Sequence, residues 1–193
     1  MLDVFYEESA RVQNVRSATS KYNTYKVLSI IFYALSIIWV VIALTCYSLS
    51  GNVLIDIIAM VTPLLVLLPS GIFFSIIKNR FYVDYDYTFI TGTIKIAKVI
   101  KNIKRKFLFK FDTKDIEKLG KYGSNTYKKY EIMAGIEKLT FTQNTTPAEG
   151  KDFYYLVATV YAVKKLMIFE CTETFMVNVL KFSNKSIVEE DFR

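Results

Sequence analysis

The 193-residue chain contains no histidine, one tryptophan and three prolines. The absence of histidine excludes Ser-His-Asp and Cys-His nucleophilic machinery, histidine general bases and histidine-ligated metals, the commonest routes to hydrolase chemistry. We therefore predict a non-enzymatic protein with no cofactor and no metal site. An enzyme that works through lysine, tyrosine and carboxylate groups is the less favoured alternative.

Charge is almost absent from one long stretch of the N-terminal half. Asp56 is the only charged residue between Lys26 and Lys78. A helix of about 21 residues rises about 31 Å, which matches a hydrocarbon core of about 30 Å. The stretch therefore predicts a transmembrane hairpin of two helices, joined by a turn of small polar residues and glycine. The first span is placed near Val27–Tyr47, the turn at Ser48–Asn52 and the second span near Ile57–Ile77.

Overall composition agrees with a membrane protein, since 52% of the residues are apolar and the net charge is +7. Basic residues flank the two spans, whereas the turn has none, and the positive-inside rule then places both termini in the cytoplasm of a multi-pass cell-membrane protein. The flanking basic residues are Arg11, Arg16, Lys21, Lys26, Lys78 and Arg80. The predicted organisation is a cytoplasmic N-terminal segment (1–26), the transmembrane hairpin (27–77) and a cytoplasmic domain (78–193).

Three features of the spans suggest packing rather than transport. Ser29, Ser36 and Ala43 recur at seven-residue spacing and form a small-residue stripe, along which the second helix, or a neighbouring subunit, can approach closely. We favour the second helix. Asp56 falls at the start of the second helix, where water and the helix dipole stabilise a carboxylate. Pro63 and Pro69 are expected to bend this helix, together with Gly71.

Residues 78–193 alternate between apolar and polar side chains in several short runs, which is typical of strands. A helical pattern follows them, with Thr172 as the candidate N-cap and the helix ending near Phe182. Residues 126–135 give a weak signal. The predicted strands are 81–89, 93–98, 106–112, 115–119, 137–142, 153–160 and 164–171.

This order of strands and helix resembles the bacterial pleckstrin-homology-like (PH-like) domains attached to membrane hairpins. The opening Phe5-Tyr6-Glu7 and the hairpin also resemble a bacterial family of two-helix membrane proteins with the same layout. The resemblance implies an α+β domain, an antiparallel sheet or partial barrel of six to seven strands closed by a C-terminal helix. The segments that carry the resemblance within the domain are Tyr85–Phe89, Gly92–Ile96, Lys104–Lys106, Phe111–Asp112, Asp115–Glu117 and Leu166–Glu170.

The chain departs from the wider superfamily at two places. Lipid-binding members carry basic residues in the first hairpin loop. The loop Ile90–Thr93 of this chain has no charge, so the resemblance does not imply phosphoinositide binding. Relatives also pack a tryptophan from the terminal helix. The single tryptophan of this chain is Trp39, in the first span, and Phe175 or Leu180 is expected to fill that position instead.

The strongest local signal is a run of basic residues without an acid among them, which we name the basic ribbon. Close to a bilayer such a ribbon is attracted to anionic lipid, and Lys98, Lys101, Lys104, Arg105 and Lys106 are the candidate contact residues. The same charges also fit a solvated strand face that satisfies the positive-inside rule. RNA binding is disfavoured because Phe107 and Phe109 are expected to point into the core. The ribbon consists of Lys95, Lys98, Lys101, Lys104, Arg105, Lys106 and Lys110.

Several other motifs have ordinary structural explanations. Asp84 and Asp86 share a strand face that we expect to be solvated. Gly120–Gly123 and Gly150–Asp152 are interpreted as turns or loop ends. Three further groups are expected to carry no site: the sequons at Asn144 and Asn184, the tyrosines Tyr154, Tyr155 and Tyr161, and the cysteines Cys46 and Cys171, which lie too far apart to form a disulfide.

The sequence therefore favours an integral membrane protein whose cytoplasmic PH-like domain binds a protein partner or self-associates, aided by anionic lipid, and does not bind nucleic acid. The alternative is a subunit of a small-ion channel or transporter, formed by oligomerised hairpins around Asp56.

Overall fold

The computed structural model describes residues 4–46 and 53–183 of the chain. They fall into two compact units. Asn14–Tyr82 forms one, and the other combines the residues up to Gln13 with those from Val83 onward. The elements in chain order are β1 (Phe5–Ala10), α1 (Val15–Cys46), α2 (Val53–Ile77), β2 (Val83–Ile90), β3 (Thr93–Ile100), β4 (Lys104–Asp112), β5 (Ile116–Lys121), α3 (Asn125–Glu131), β6 (Glu137–Thr140), β7 (Asp152–Val160), β8 (Val163–Cys171) and α4 (Glu173–Lys181).

The helical unit contains two helices long and apolar enough to span a membrane. Helix α1 starts earlier than the predicted span because the Asn14 side chain accepts the Ser17 backbone N–H at 2.9 Å, which caps the helix. Its 32 residues rise about 48 Å, more than a hydrocarbon core requires. The predicted turn Ser48–Asn52 lies outside the described residues, as does Tyr47.

The two helices pack through small residues. Ser29 and Ser36 are each 3% exposed, and their hydroxyls donate to the backbone carbonyls of Lys26 and Phe32, so no polar group is left unbonded at either serine. Gly71 of α2 lies so close to the Tyr33 ring that a Cβ there would be 2.8 Å from it. The burial of Ser29 and Ser36 agrees with the prediction that the stripe serves contact within the chain, whereas Ala43, its third member, is half-buried.

The first sheet of the other unit is antiparallel, in the order β1-β2-β3-β4. The chain therefore passes through both helices between two neighbouring strands. β1 pairs with β2 along its whole length, from Phe5 opposite Ile90 to Ala10 opposite Tyr85. This strand lies in the N-terminal segment and was not predicted, so the β unit is larger than residues 78–193.

The second sheet has the order β5-β7-β8-β6. Strand β6 runs parallel to β8, which departs from the fully antiparallel sheet that we expected. With β1, the described residues contain eight strands rather than six or seven.

The core lies between the two sheets, and helix α4 closes it with Phe175, Met176 and Val179. The Thr172 side chain accepts the Phe175 N–H, which confirms the predicted N-cap. Phe175 is buried, as expected for the residue that replaces a tryptophan. The inward side chains include Tyr87, Phe89, Ile94, Ile96, Leu119, Leu156, Met167 and Phe169.

The weak stretch after residue 125 contains helix α3, which was not predicted. Ser124 caps it by accepting the Tyr127 N–H. Tyr127 then packs with Tyr155, Val157 and Leu166 in a second buried cluster. These three partners alternate with inward residues along β7 and β8, so α3 covers the outer face of the second sheet.

Candidate functional site

The candidate lipid-contact residues all lie on the β3–β4 hairpin. Its connecting loop has three residues, Lys101–Ile103, because Ile100 lies opposite Lys104, and Lys101 and Asn102 have φ angles of 51° and 55°. The Ile103 N–H donates to the Ile100 carbonyl at 3.0 Å and closes the turn. Positive φ at both central residues of the β-turn Ile100–Ile103 is the φ pattern of a type I′ turn.

Cross-strand register brings the ribbon together. Lys98 lies directly opposite Lys106, and Lys104 lies opposite Ile100, next to the turn. Like charges placed opposite each other destabilise a strand pair. The structure therefore groups the five predicted residues on one hairpin and leaves a concentration of positive charge at its end.

Arg105 differs from the other basic residues of this group, because carboxylates from two other strands hold it. Its guanidinium donates to Glu7 of β1 at 2.8 Å and lies 3.2 Å from Asp86 of β2. The bond to Glu7 raises the pKa of the guanidinium above its ordinary value. Arg105 thus ties β4 to β1 and β2. Lys104 and Lys106 are exposed and form no ion pair with any carboxylate of the described residues.

A register shift in β4 turns the side chain of Phe107 away from the core. Ile96 pairs with Phe109, whereas the next residue, Ala97, pairs with Phe107, so Leu108 is an extra residue in β4. Phe109 keeps contact with the core, but Phe107 lies on the outer face and is 55% exposed. The expectation that both rings point inward is wrong for Phe107, and the absence of nucleic-acid binding stays a prediction.

The hairpin also exposes an aliphatic side chain that was not among the predicted site residues. Ile103, the last residue of the turn, is 81% exposed. Its signal in the sequence is its place beside Asn102, a residue that tolerates the left-handed conformation in tight turns. The end of the hairpin therefore combines lysines with an exposed Ile103 and an exposed Phe107.

The expectation of a solvated Asp84 is wrong. Asp84 is 4% exposed, and its carboxylate accepts the Val12 N–H at 2.8 Å. Burial raises the pKa of this carboxyl, and the bond from Val12 lowers it in part. Asp86 is half-buried and accepts the Ser9 hydroxyl at 2.7 Å. Both carboxylates therefore hold the chain at the end of β1.

Glu8 forms a second buried contact of the same kind. Its carboxylate accepts the Thr172 N–H at 3.0 Å and pairs with the Lys151 ammonium at 2.9 Å. Lys151 also donates to the Ser9 carbonyl at 2.7 Å. Lys151, which we assigned to a loop end, thus joins β1 to the start of β7 and, through Glu8, to the start of α4.

Glu170 lies on β8 and is fully buried under the loop that follows β6. It accepts from the Thr142 hydroxyl, from the Asn144 amide at 2.8 Å and from the Ala148 N–H at 2.9 Å. Asn144 in turn accepts the Gln13 N–H at 3.0 Å and donates to the Arg11 carbonyl at 2.8 Å. The side-chain amide of Asn144 therefore has a structural role. The second sequon, at Asn184, lies outside the described residues.

Residues 4–189 of this chain match the model of a family described as a bacterial PH-like domain, DUF6106. The chain belongs to this family. The match starts ahead of β1 and continues through both helices, so the helical segment is part of the family's own layout. No curated protein and no solved structure matched the chain.

Because β1 belongs to the sheet, the loop between β2 and β3 is not the first connection of this PH-like domain. Since β1 is the first strand of the sheet, the loop Ile90–Thr93 is the second connection and not the first, as we had assumed. The first connection is the helical segment itself. Other parts of the chain also cover the β2–β3 turn. The Thr113 N–H donates to the Gly92 carbonyl at 2.8 Å, and the Thr113 hydroxyl donates to the Phe182 carbonyl at 2.9 Å.

The remaining motifs contribute no assembled site in the described part of the PH-like domain. Tyr154 and Tyr155 are buried, whereas Tyr161 is 75% exposed in the β7–β8 turn, so the three rings form no common patch. Cys171 is a free, fully buried thiol whose pKa is raised well above its ordinary value by burial. The side chain of Cys46 is outside what the structure describes.

One cavity of about 300 Å³ opens near the end of β6. Two of its polar lining residues, Thr142 and Asn144, already bond to Glu170. The other lining residues are Tyr122, Thr140, Thr145, Phe153 and Ile168.

Proposed function

We propose that this protein is a non-enzymatic, membrane-integral interaction module. Helices α1 and α2 span the cell membrane, and the PH-like domain lies on the cytoplasmic side. There it contacts anionic lipid through the β3–β4 hairpin and binds a protein partner or a second copy of the chain.

The observation that carries the proposal is the exposure of the two apolar helices. Their most apolar windows have mean hydropathies of 2.7 and 2.3, yet only 11% and 6% of those windows are buried within the chain. Soluble proteins rarely leave contiguous apolar patches larger than a few hundred Å² in water. A bilayer covers such a surface, and each helix satisfies its own backbone groups there, as lipid requires.

Strand pairing adds a topological argument. β1 precedes α1 and β2 follows α2, and the two strands are paired residue by residue. A chain that crosses the bilayer twice returns to the side on which it started, so two spans are compatible with this pairing whereas one span is not. The basic flanks, Arg16, Lys21 and Lys26 before the spans and Lys78 and Arg80 after them, favour the cytoplasmic side.

A non-catalytic role is supported by what the buried polar groups do. The carboxylates of Glu8, Asp84 and Glu170 each accept a backbone N–H, so they serve the fold. The Cys171 thiol is fully buried in the core. A folded domain whose buried ionisable groups already serve its structure fits a binding role better than a catalytic role.

The role of the hairpin is tested by a double charge reversal, Lys104→Glu with Lys106→Glu, in the full chain in native membranes. Arg105 is left unchanged because it ties β4 to β1 and β2. Lys128→Glu with Lys129→Glu on helix α3 makes the same change in charge at other exposed positions and is the control. We expect only the hairpin variant to alter the crosslinked partners or the oligomer size. Equal results for both variants would remove the hairpin from the proposal.

The channel alternative is tested with the same material. Asp56 lies in the first turn of α2. An Asp56→Asn variant in liposomes should change neither ion flux nor partner binding if the PH-like domain is the functional part. A flux that is present in the unaltered chain and lost in this variant would favour the channel subunit instead.

A further inference from the structure

The end of the β3–β4 hairpin is amphipathic. Lys101, Lys104 and Lys106 surround the turn, and Ile103 is its most exposed apolar residue. Ile103 lies in the turn and Phe107 lies on the outer face of β4, four residues further along the chain, so both exposed apolar side chains are near this end of the hairpin. Aliphatic and aromatic side chains next to lysines are the composition that favours the interface between headgroups and acyl chains.

The connection between α2 and β2 is short, and this limits how far the β3–β4 turn can lie from the membrane. Ile100 pairs with Val83, the first residue of β2, and only residues 78–82 separate Val83 from the end of α2 at Ile77. Even fully extended, this connection spans about 20 Å. The end of β1 at Ala10 lies on the same side of the sheet, opposite Tyr85. The turn is therefore at the end of the sheet from which the chain runs to both helices.

The charges leave the turn available for an anionic surface. Arg105 is neutralised by Glu7 and Asp86, whereas Lys104 and Lys106 are exposed without an ion pair among the described residues. The β7–β8 turn offers a contrast. Its two residues, Tyr161 and Ala162, also have positive φ, but the lysines beside it, Lys164 and Lys165, pair with Glu117 and Glu137.

We infer that the β3–β4 turn inserts Ile103 into the interface of an anionic bilayer, with Phe107 beside it at the membrane surface and Lys101, Lys104 and Lys106 among the lipid headgroups. This deepens the proposed function, on which it rests, because it requires the chain to be anchored by α1 and α2. It makes the hairpin a second membrane contact that fixes the face of the domain turned towards lipid.

Quenching of tryptophan fluorescence by brominated lipid tests the insertion in the full chain. Trp39 is the chain's single tryptophan, so a Trp39→Phe background leaves an introduced residue as the only tryptophan. Ile103→Trp reports on the turn, and Tyr161→Trp in the β7–β8 turn is the matched control. In nanodiscs that contain brominated phosphatidylglycerol, we expect at least twofold stronger quenching and a blue-shifted emission at position 103. Equal quenching at the two positions would overturn the inference.

Two further arms identify the lipid chemistry. In brominated phosphatidylcholine alone, quenching at position 103 should fall to the level of position 161. Lys104→Glu with Lys106→Glu should have the same effect in the anionic discs, whereas Lys128→Glu with Lys129→Glu should not. Quenching at position 103 that is insensitive to lipid charge would contradict the role of the lysines.

The unaltered chain supplies the remaining controls. Its Trp39 should be quenched in every disc, because α1 spans the bilayer. Loss of that quenching would refute the anchor and with it the proposed function, whereas quenched Trp39 with an unquenched position 103 would refute only the insertion. Hydrogen exchange at residues 100–106 of the unaltered chain gives a measurement without substitution, and it should be slower in anionic than in zwitterionic discs.

Discussion

Glu170 on β8 accepts the backbone N–H of Ala148 at 2.9 Å, although the two residues are 22 positions apart and the carboxylate is fully buried. A buried carboxylate is expensive unless hydrogen bonds replace its water. Here the loop after β6 supplies these bonds, and Asn144 extends them to Arg11 and Gln13. The same carboxylate therefore stabilises the loop and the chain segment just ahead of α1.

Glu170→Ala should lower the free energy of unfolding of the PH-like domain by about 3 kcal/mol, because several buried donors lose their acceptor. Glu149→Ala removes an exposed carboxylate from the same loop and should change it by less than about 0.5 kcal/mol. Urea unfolding of the detergent-solubilised chain, followed by near-ultraviolet circular dichroism, measures both. Similar effects in the two variants would contradict the structural role of Glu170.

Asp84 makes stability depend on pH. Burial raises its pKa above the ordinary value of 3.8, so the folded state keeps this proton to a higher pH than the unfolded state does. The contribution is therefore favourable below 3.8 and is lost as pH rises through the folded pKa. Asp84→Asn keeps the acceptor for Val12 and removes the charge. We expect it to be at least as stable as the unaltered chain at neutral pH, with the advantage disappearing below pH 4 in urea titrations.

Asp152→Asn is the control for this pH dependence, since Asp152 is exposed on β7. This substitution should change the free energy of unfolding by less than about 0.5 kcal/mol at neutral pH. Asp84→Ala should be less stable than Asp84→Asn, because the Val12 N–H then loses its acceptor. An Asp84→Asn protein that is as unstable as the alanine variant would show that the charge itself is required.

Gly71→Val should weaken the packing of α1 on α2. A Cβ at Gly71 would lie 2.8 Å from the Tyr33 ring, and overpacking of this kind costs about 1–3 kcal/mol. Thermal unfolding in detergent, monitored through Trp39 fluorescence, should show a lower midpoint. Ala59→Val adds bulk at an exposed position of the same helix and should have little effect. Tyr33→Ala should restore part of the loss in the double variant, and the absence of any restoration would place the clash elsewhere.

Local signals were sufficient for much of the fold. Alternation of apolar residues predicted most of β2 to β5, β7 and β8, and Thr172 marked the start of α4, because hairpins and caps depend on neighbours in sequence. Strand β1 was missed because its partner β2 lies beyond two helices in the chain, and Phe5–Ala10 shows no regular alternation. A strand without a local pattern is recognisable only when its partner is known.

The candidate site was predictable in composition but not in geometry. The basic residues were grouped correctly on one hairpin. The extra residue Leu108, which turns Phe107 outward, leaves no trace in a sequence where Phe107, Phe109 and Phe111 alternate perfectly. The partners of Arg105 come from β1 and β2, so its role as a bridge required the sheet order. The burial of Asp84 likewise depends on the path of the chain after β1.

Two membrane spans with the PH-like domain inside the cell are the central prediction, and thiol labelling tests it directly. A Cys46→Ala chain carries either Glu149→Cys, in the exposed loop before β7, or Gly51→Cys, in the predicted turn between the spans; the buried Cys171 is left in place. With a membrane-impermeant maleimide, we predict that position 51 is labelled in intact cells and position 149 only in inverted vesicles. Labelling of position 149 in intact cells would contradict the account.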